Sequence, residues 1–233
     1  MSTFQGTETL GHIVAAFPGV SELFRKHRID FCCGGDRRLD AVLKEHGMDG
    51  VAFLNELNKS AEQASRQSAR AVDWREAPLG RLIDHIVQKH HAYLTQELPV
   101  LGEYVTKIMR VHSYGHPELI DLHKLFHQAK AELEQHMFDE EANVFPLIKQ
   151  AEEARDASAR ERAIRSLGEL EHEHAAVGDL LKQMRAITNG YRLPQDACTT
   201  YALTFRKLET LESDTFEHVH LENNILFPRV SAM

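Results

Sequence analysis

The stretch "HVHLENNILFP" (residues 218–228) sets His218 and Glu222 four residues apart, with Pro228 six residues beyond the glutamate. "HMFDEEANVFP" (136–146) repeats the arrangement with His136, Glu140 and Pro146. Residues four apart share one face of an α-helix. The face in question is otherwise apolar. At 3–4 spacing, one segment reads Leu208, Leu211, Thr215, His218, Glu222, Ile225, and the other Leu122, Phe126, Ala129, Leu133, His136, Glu140, Val144, Leu147. A third reads Leu167, Leu170, His174, Val177, Leu181, Met184. The polar residues continue the buried stripe and should point into a core. An unpaired carboxylate or imidazole there costs several kcal/mol, so something must compensate.

The spacing of the histidines says what. His91 precedes His136 by 45 residues and His174 precedes His218 by 44, and both His91 and His174 are followed by alanine. The second half thus repeats the first at an offset of 82 or 83. Four imidazoles and two carboxylates directed into a two-fold repeat suit a pair of transition metals, with iron, manganese or zinc favoured over calcium or magnesium. If Glu140 and Glu222 each bridge both ions, each ion receives two nitrogens and two oxygens. Six-coordinate iron would keep open positions, whereas zinc is satisfied by four ligands. His90 rivals His91, and the alanine match and the spacing favour His91. Glu171–His174 and Glu217–His220 have the Glu-x-x-His form of ferritin-like sites, but the repeat supplies no matching glutamates for that scheme. His85, His112, His116, His123, His127, His172 and His220 read as solvated or as supports for the ligands.

The rest of the chain frames this core. From Pro78 four long amphipathic helical patterns follow: one to about "HSYGHPE", interrupted or kinked at Pro99, then about 117–150, about 158–188, and from Pro194 to Pro228. Four such helices make a four-helix bundle. The two Phe-Pro pairs are expected to end or kink their helices. Residues 1–72 read as a separate small helical domain with a linker, and 73–233 as the bundle. In the small domain helices start near Thr9, after Pro18, over "DRRLDAVLKEH" up to Gly47, and at Asp49 as an N-cap. Residues 58–74 lose the apolar stripe and read as a connecting segment. The fold class expected is all-α.

Composition narrows function. Asp and Glu outnumber Lys and Arg by 35 to 27 for a net charge of −8, which argues against nucleic acid and anionic lipid as partners. No run of roughly 18 apolar residues offers a membrane span. The start has no basic segment followed by a long apolar one, as a secretion signal would require, and three cysteines do not make a disulfide framework. A cytoplasmic protein is expected. Two of the cysteines form a second candidate site, in "DFCCGGDRRL". Cys32 and Cys33 are adjacent and poorly placed to bond to each other, because their Cα atoms lie only about 3.8 Å apart. Gly34 and Gly35 free the backbone for a turn, while a helix beginning at Asp36, with Arg37 and Arg38, should lower a thiol pKa. Burial as small apolar residues fits the same pattern equally well. Cys198 reads as a packing residue.

These segments resemble those of a known family. The "DFCCGG" motif together with "HMFDEEANVFP" and "HVHLENNILFP" is similar, along nearly the full chain, to the iron–sulfur cluster repair di-iron proteins (repair of iron centres). The resemblance implies a hemerythrin-like bundle behind a small N-terminal domain. It also implies a cofactor of two non-haem iron ions with a bridging oxo or hydroxo group, held by His91, His136, Glu140, His174, His218 and Glu222. Cys32 and Cys33 become the candidate reactive residues. Recipients would be iron–sulfur proteins damaged by nitric oxide or oxidative stress, with nitric oxide or oxygen as small ligands, nitric oxide reduction as an alternative activity, and room for a homodimer. Oxygen-carrying hemerythrins have one more histidine ligand, which makes reversible oxygen carriage a poorer fit.

Overall fold

The computed structural model describes residues 4–67 and 72–233. Regular structure among them is helical, apart from an isolated antiparallel bridge between Thr9 and Arg38. No helix among the described residues is long and apolar enough to cross a membrane. The chain forms two compact units, Met1–Leu82 with Phe216–Met233, and Ile83–Thr215.

The first unit begins with four helices: α1 (Leu10–Ala16), α2 (Ser21–Lys26), α3 (Leu39–Glu45) and α4 (Gly50–Gln67). Their starts follow the expected capping chemistry. The Thr9 hydroxyl accepts from His12 N, and Asp49 Oδ1 accepts from Val51 N and Ala52 N at 2.9 and 3.1 Å. Gly47, at φ +63°, closes α3 in the left-handed conformation. Of the connecting segment expected over 58–74, residues 58–67 complete α4 and residues 68–71 lie outside the described residues. Leu10, Ile13, Val20, Phe24, Phe31, Leu39 and Leu57 form a core, each at most 1% exposed. Full burial of such side chains is worth roughly 1.5–3 kcal/mol each. Phe24 stacks on Phe53 with ring centroids 6.0 Å apart.

The end of the chain belongs to this same unit. A π-helical turn over Glu222–Leu226 leads into a final short helix, Phe227–Ala232, and Phe216 packs against the core just described. Asn224, inside the π turn, donates from Nδ2 to the carbonyls of Phe31 (3.3 Å) and Cys32 (2.9 Å). Its side chain lies between Gly11 and Gly35, where an added Cβ would fall 2.2 and 2.0 Å from Asn224 Oδ1. At Gly34, a Cβ would meet the Asp30 carbonyl oxygen at 2.9 Å. Neither Gly34 nor Gly35 has positive φ. Both glycines lie in the expected turn, over residues 33–36, and each permits a close approach that a side chain would block.

The second unit is a bundle of α6 (Ala92–His112), α7 (Glu118–Asp139), α9 (Ala157–Ile187) and α10 (Thr199–Leu221) as far as Thr215, with the last residues of α5 (Leu79–His85), from Ile83, and α8 (Phe145–Ala154) extending the first two helical passes. Helix α7 packs on both α6 and α9, and α8 continues against α9. Arg185 Nε to Glu212 Oε1 at 2.7 Å ties α9 to α10, and Lys207–Glu97 ties α10 to α6. Asp156 caps α9 by accepting from Ser158 N and Ala159 N. Pro99 lies inside α6, which runs through it uninterrupted.

Nor do the Phe-Pro pairs end their helices. Each follows a π turn, Glu140–Val144 or Glu222–Leu226, and occupies the first positions of a new helical segment. A π turn inserts one residue and bonds i to i+5, so the proline ring meets no tight α-turn. The insertion also shifts the buried stripe. Beyond Glu140 the buried residues are Val144, Phe145 and Ile148, while Leu147, expected in the core, is half-buried.

If Asn224 is the reason for the glycine at 35, the two positions must be coupled. Gly35→Ala should destabilise the wild-type chain by about 1–3 kcal/mol through the clash and the lost hydrogen bonds. In an Asn224→Ala background the same change should have much less effect. Urea denaturation of the four members of the cycle checks this, and additive costs would refute it.

Candidate metal centre

Within the bundle unit, three helices bring four of the predicted ligands together. His91 comes from the end of a π turn, Ile86–His91. His136 and Glu140 lie on either side of the α7 end, and His174 lies mid-way along α9. All four are at most 3% exposed, and Glu140 is fully buried. Glu140 Oε2 lies 3.4 Å from His91 Nε2 and 3.3 Å from His136 Nε2. His174 Nε2 is 2.8 Å from His136 Nε2. Ligand atoms at right angles around one ion, with bonds of about 2.1 Å, stand about 3 Å apart, so the separations among His136, Glu140 and His174 fit a shared metal. His136, Glu140 and His174 each offer a donor atom within 4.8 Å of the others.

The imidazoles are also oriented for it. His91 Nδ1 meets Glu141 Oε1 at 2.8 Å, and His136 Nδ1 meets Glu173 Oε2 at 2.6 Å. A carboxylate on Nδ1 holds the ring in the tautomer whose Nε2 lone pair faces inward and makes that nitrogen more basic. The ring of His91 stacks on Phe145, centroids 5.8 Å apart, which fixes its plane. His90, the rival of His91, is buried as well, but its Nδ1 meets Asp214 Oδ1 at 3.0 Å.

The first unit holds the other predicted pair. His218 lies in the last turn of α10, and Glu222 opens the π turn, with His218 Nε2 3.0 Å from Glu222 Oε1 and both side chains at most 1% exposed. All three π turns found in the described residues thus begin or end on a predicted ligand. Such turns occur frequently at functional sites.

The cysteine loop lies in the same unit. Asp30 Oδ1 accepts from the backbone N–H groups of Cys32 (3.1 Å), Cys33 (3.1 Å) and Gly34 (3.3 Å), and lies 3.2 Å from Cys32 Sγ. The two sulfurs are 3.9 Å apart, and both cysteines are free thiols, Cys32 buried and Cys33 half-buried. The expected lowering of thiol pKa is not what the loop does to Cys32. The hydrogen bond with Cys33, followed by burial and the Asp30 charge, pushes the Cys32 thiol well above its ordinary value. Helix α3 starts at Leu39 rather than Asp36, Arg37 pairs with Glu45, and Arg38 pairs with Asp40.

Other histidines have local roles. His123 and His127 share the Thr106 hydroxyl, and His116 pairs with Asp196. His220, expected to be solvated or to support a ligand, is buried edge-on to Phe31, and burial pulls its pKa down to about 4. Cys198, expected to be packed, is exposed and 3.3 Å from His112 Nε2. The sequence reading did not single out Glu141, Glu173 or Asp214.

Comparison with known proteins adds to this geometry. Residues 6–61 match the ScdA_N family, described as a domain of unknown function, and residues 82–230 match the hemerythrin HHE cation-binding domain. The iron–sulfur cluster repair protein YtfE of Escherichia coli O157:H7 is 36% identical over 225 residues, covering 97% of each chain. That of Escherichia fergusonii is 36% identical over the same share of each. This chain belongs to the YtfE-type iron–sulfur cluster repair family. The HHE domain takes in both buried histidine–glutamate clusters, a donor chemistry that fits a pair of metal ions.

The supporting carboxylates should tune metal affinity. Glu173→Gln keeps shape but removes the charge on His136 Nδ1, and should weaken metal retention about 10–100-fold. Competition with a chelator measures it, and retention equal to wild type would exclude Glu173 from the site.

Proposed function

We propose that this family member binds two non-haem iron ions through His91, His136, Glu140, His174, His218 and Glu222, and restores damaged iron–sulfur clusters by giving up iron. The observation that carries this reading is the extent of the family match. The 225 aligned residues take in the cysteine loop and both buried histidine–glutamate clusters of a relative named for cluster repair. Six protein ligands for two ions are few for six-coordinate iron, which leaves positions for solvent or a bridging oxo or hydroxo group. The same shortage keeps iron exchangeable, as a donor requires. In this reading the recipients are iron–sulfur proteins damaged by nitric oxide or oxidative stress, and the free thiols suit a reducing, cytoplasmic setting. The functional division we propose runs near residue 72, with residues 73–233 as the iron-holding part.

The residues have separable tasks. The four imidazoles supply neutral nitrogen donors, and Glu140 and Glu222 supply negative charge that offsets that of the cations. Glu141 and Glu173 hold the His91 and His136 rings in place. The apolar stripes around them exclude bulk water. The open positions also support a second reading, in which nitric oxide is bound or reduced at the irons. Anaerobic titration of the ferrous protein with nitric oxide distinguishes it by the appearance of nitrosyl absorption and of nitrous oxide on turnover.

The repair reading has a direct test. Iron-loaded protein, mixed anaerobically with an enzyme whose cluster has lost iron, should restore that enzyme's activity as its own iron content falls. Glu222→Ala should retain less iron and restore correspondingly less. A protein that keeps its full iron load while the enzyme stays inactive would refute donation.

A further inference from the structure

We propose that Asp30, Cys32 and Cys33 form a second metal site, separate from the histidine–glutamate centre, that takes one exchangeable, thiophilic divalent transition-metal ion. The three donor atoms lie within 4.8 Å of one another. The decisive dimension is the gap between the sulfurs. Two thiolates on one tetrahedral ion, with metal–sulfur bonds of about 2.3 Å, stand about 3.8 Å apart, and these sulfurs are 3.9 Å apart. A carboxylate oxygen of Asp30 is the third donor.

The loop is also held in this shape by bonds that do not involve the thiols. Asp30 gathers three successive N–H groups, and Asn224 fixes the Cys32 carbonyl at 2.9 Å. Gly34 and Gly35 allow the close approaches that both contacts need. A pair of donors already at chelating distance binds without the entropy of ordering the loop. With Arg37 and Arg38 paired to Glu45 and Asp40, a bound divalent cation would supply the charge that stabilises the thiolates. Binding releases the two thiol protons to solvent and forms two metal–sulfur bonds, with no change in oxidation state. Three protein donors leave a fourth position open, which suits an ion that is passed on rather than stored.

The site rests on the thiol geometry and not on the repair reading, and would stand if cluster repair failed. The test uses the full chain, iron-loaded and reduced, titrated anaerobically with cobalt(II) chloride. Expected are a thiolate-to-cobalt charge-transfer band that saturates at one cobalt per chain, and two sulfur scatterers at about 2.3 Å in cobalt X-ray absorption. Cys33→Ser, at a half-buried position, should abolish the band with helical circular dichroism unchanged. Asp30→Asn keeps an acceptor for the loop N–H groups and should weaken binding at least about tenfold. Cobalt surrounded only by nitrogen and oxygen, a band that survives in Cys33→Ser, or saturation at one cobalt per two chains would each overturn the proposal.

Discussion

A carboxylate with no exposure inside a helical core is the constraint on which the bundle is built. Glu140 is fully buried, and two histidine nitrogens face one of its oxygens. Such a group is tolerated only where opposite charge or a metal compensates it. The chain surrounds it with donors that carry no positive charge when neutral. It places carboxylates on the far nitrogens of His91 and His136, which directs the near nitrogens inward. An ion pair alone would not need rings aligned this way. A cation with several coordination positions would.

Backbone geometry meets the same constraint. Glu140 and Glu222 each open a π turn, and His91 closes one. An uninterrupted α-helix would carry each stripe straight on, with Leu147 in the core. The extra residue in the π turn lets the helix present the carboxylate and then resume its packing one position later, on Phe145 and Ile148. Proline two residues past the turn (after Val144 and after Leu226) makes the α-helical alternative less favourable, because its ring and missing N–H oppose an i to i−4 bond there. The repeated Phe-Pro pairs therefore accompany the ligands without terminating the helices.

What could be read from the sequence follows from symmetry. The six predicted ligands recur at an offset of 82 or 83 residues on apolar stripes, and the helical segments and caps follow from periodicity and from Thr9, Gly47 and Asp49. The supporting carboxylates break that symmetry. Glu141 corresponds to Asn223 in the second half, and Glu173 corresponds to His90 in the first. A repeat detects what both halves share, so it could not find them. The π turns were hidden for another reason: the i, i+4 spacing of His136 and Glu140 is the same whether the helix widens after Glu140 or not. The thiol pKa runs opposite to the motif's suggestion because the hydrogen bond to Cys33, burial and the neighbouring Asp30 act on Cys32, and burial is not visible in a local motif.

Asn224 shows how the cysteine loop and one predicted ligand become a single piece of structure. It lies two residues beyond Glu222 in the same five-residue π turn, and its amide reaches the carbonyls of Phe31 and Cys32. Gly11 and Gly35 close on either side of it, so its side chain has little freedom to move independently. Any displacement of the loop large enough to release the Cys32 carbonyl must therefore shift the turn that carries Glu222, or break two hydrogen bonds donated by the half-buried Asn224 amide. Each of those bonds is worth about 1 kcal/mol net, and leaving the amide unsatisfied costs more. Movement of loop and turn together is the lower-energy course. The asparagine was legible in the sequence only as one letter of a repeated motif, and its partners lie about two hundred residues away, at Phe31 and Cys32.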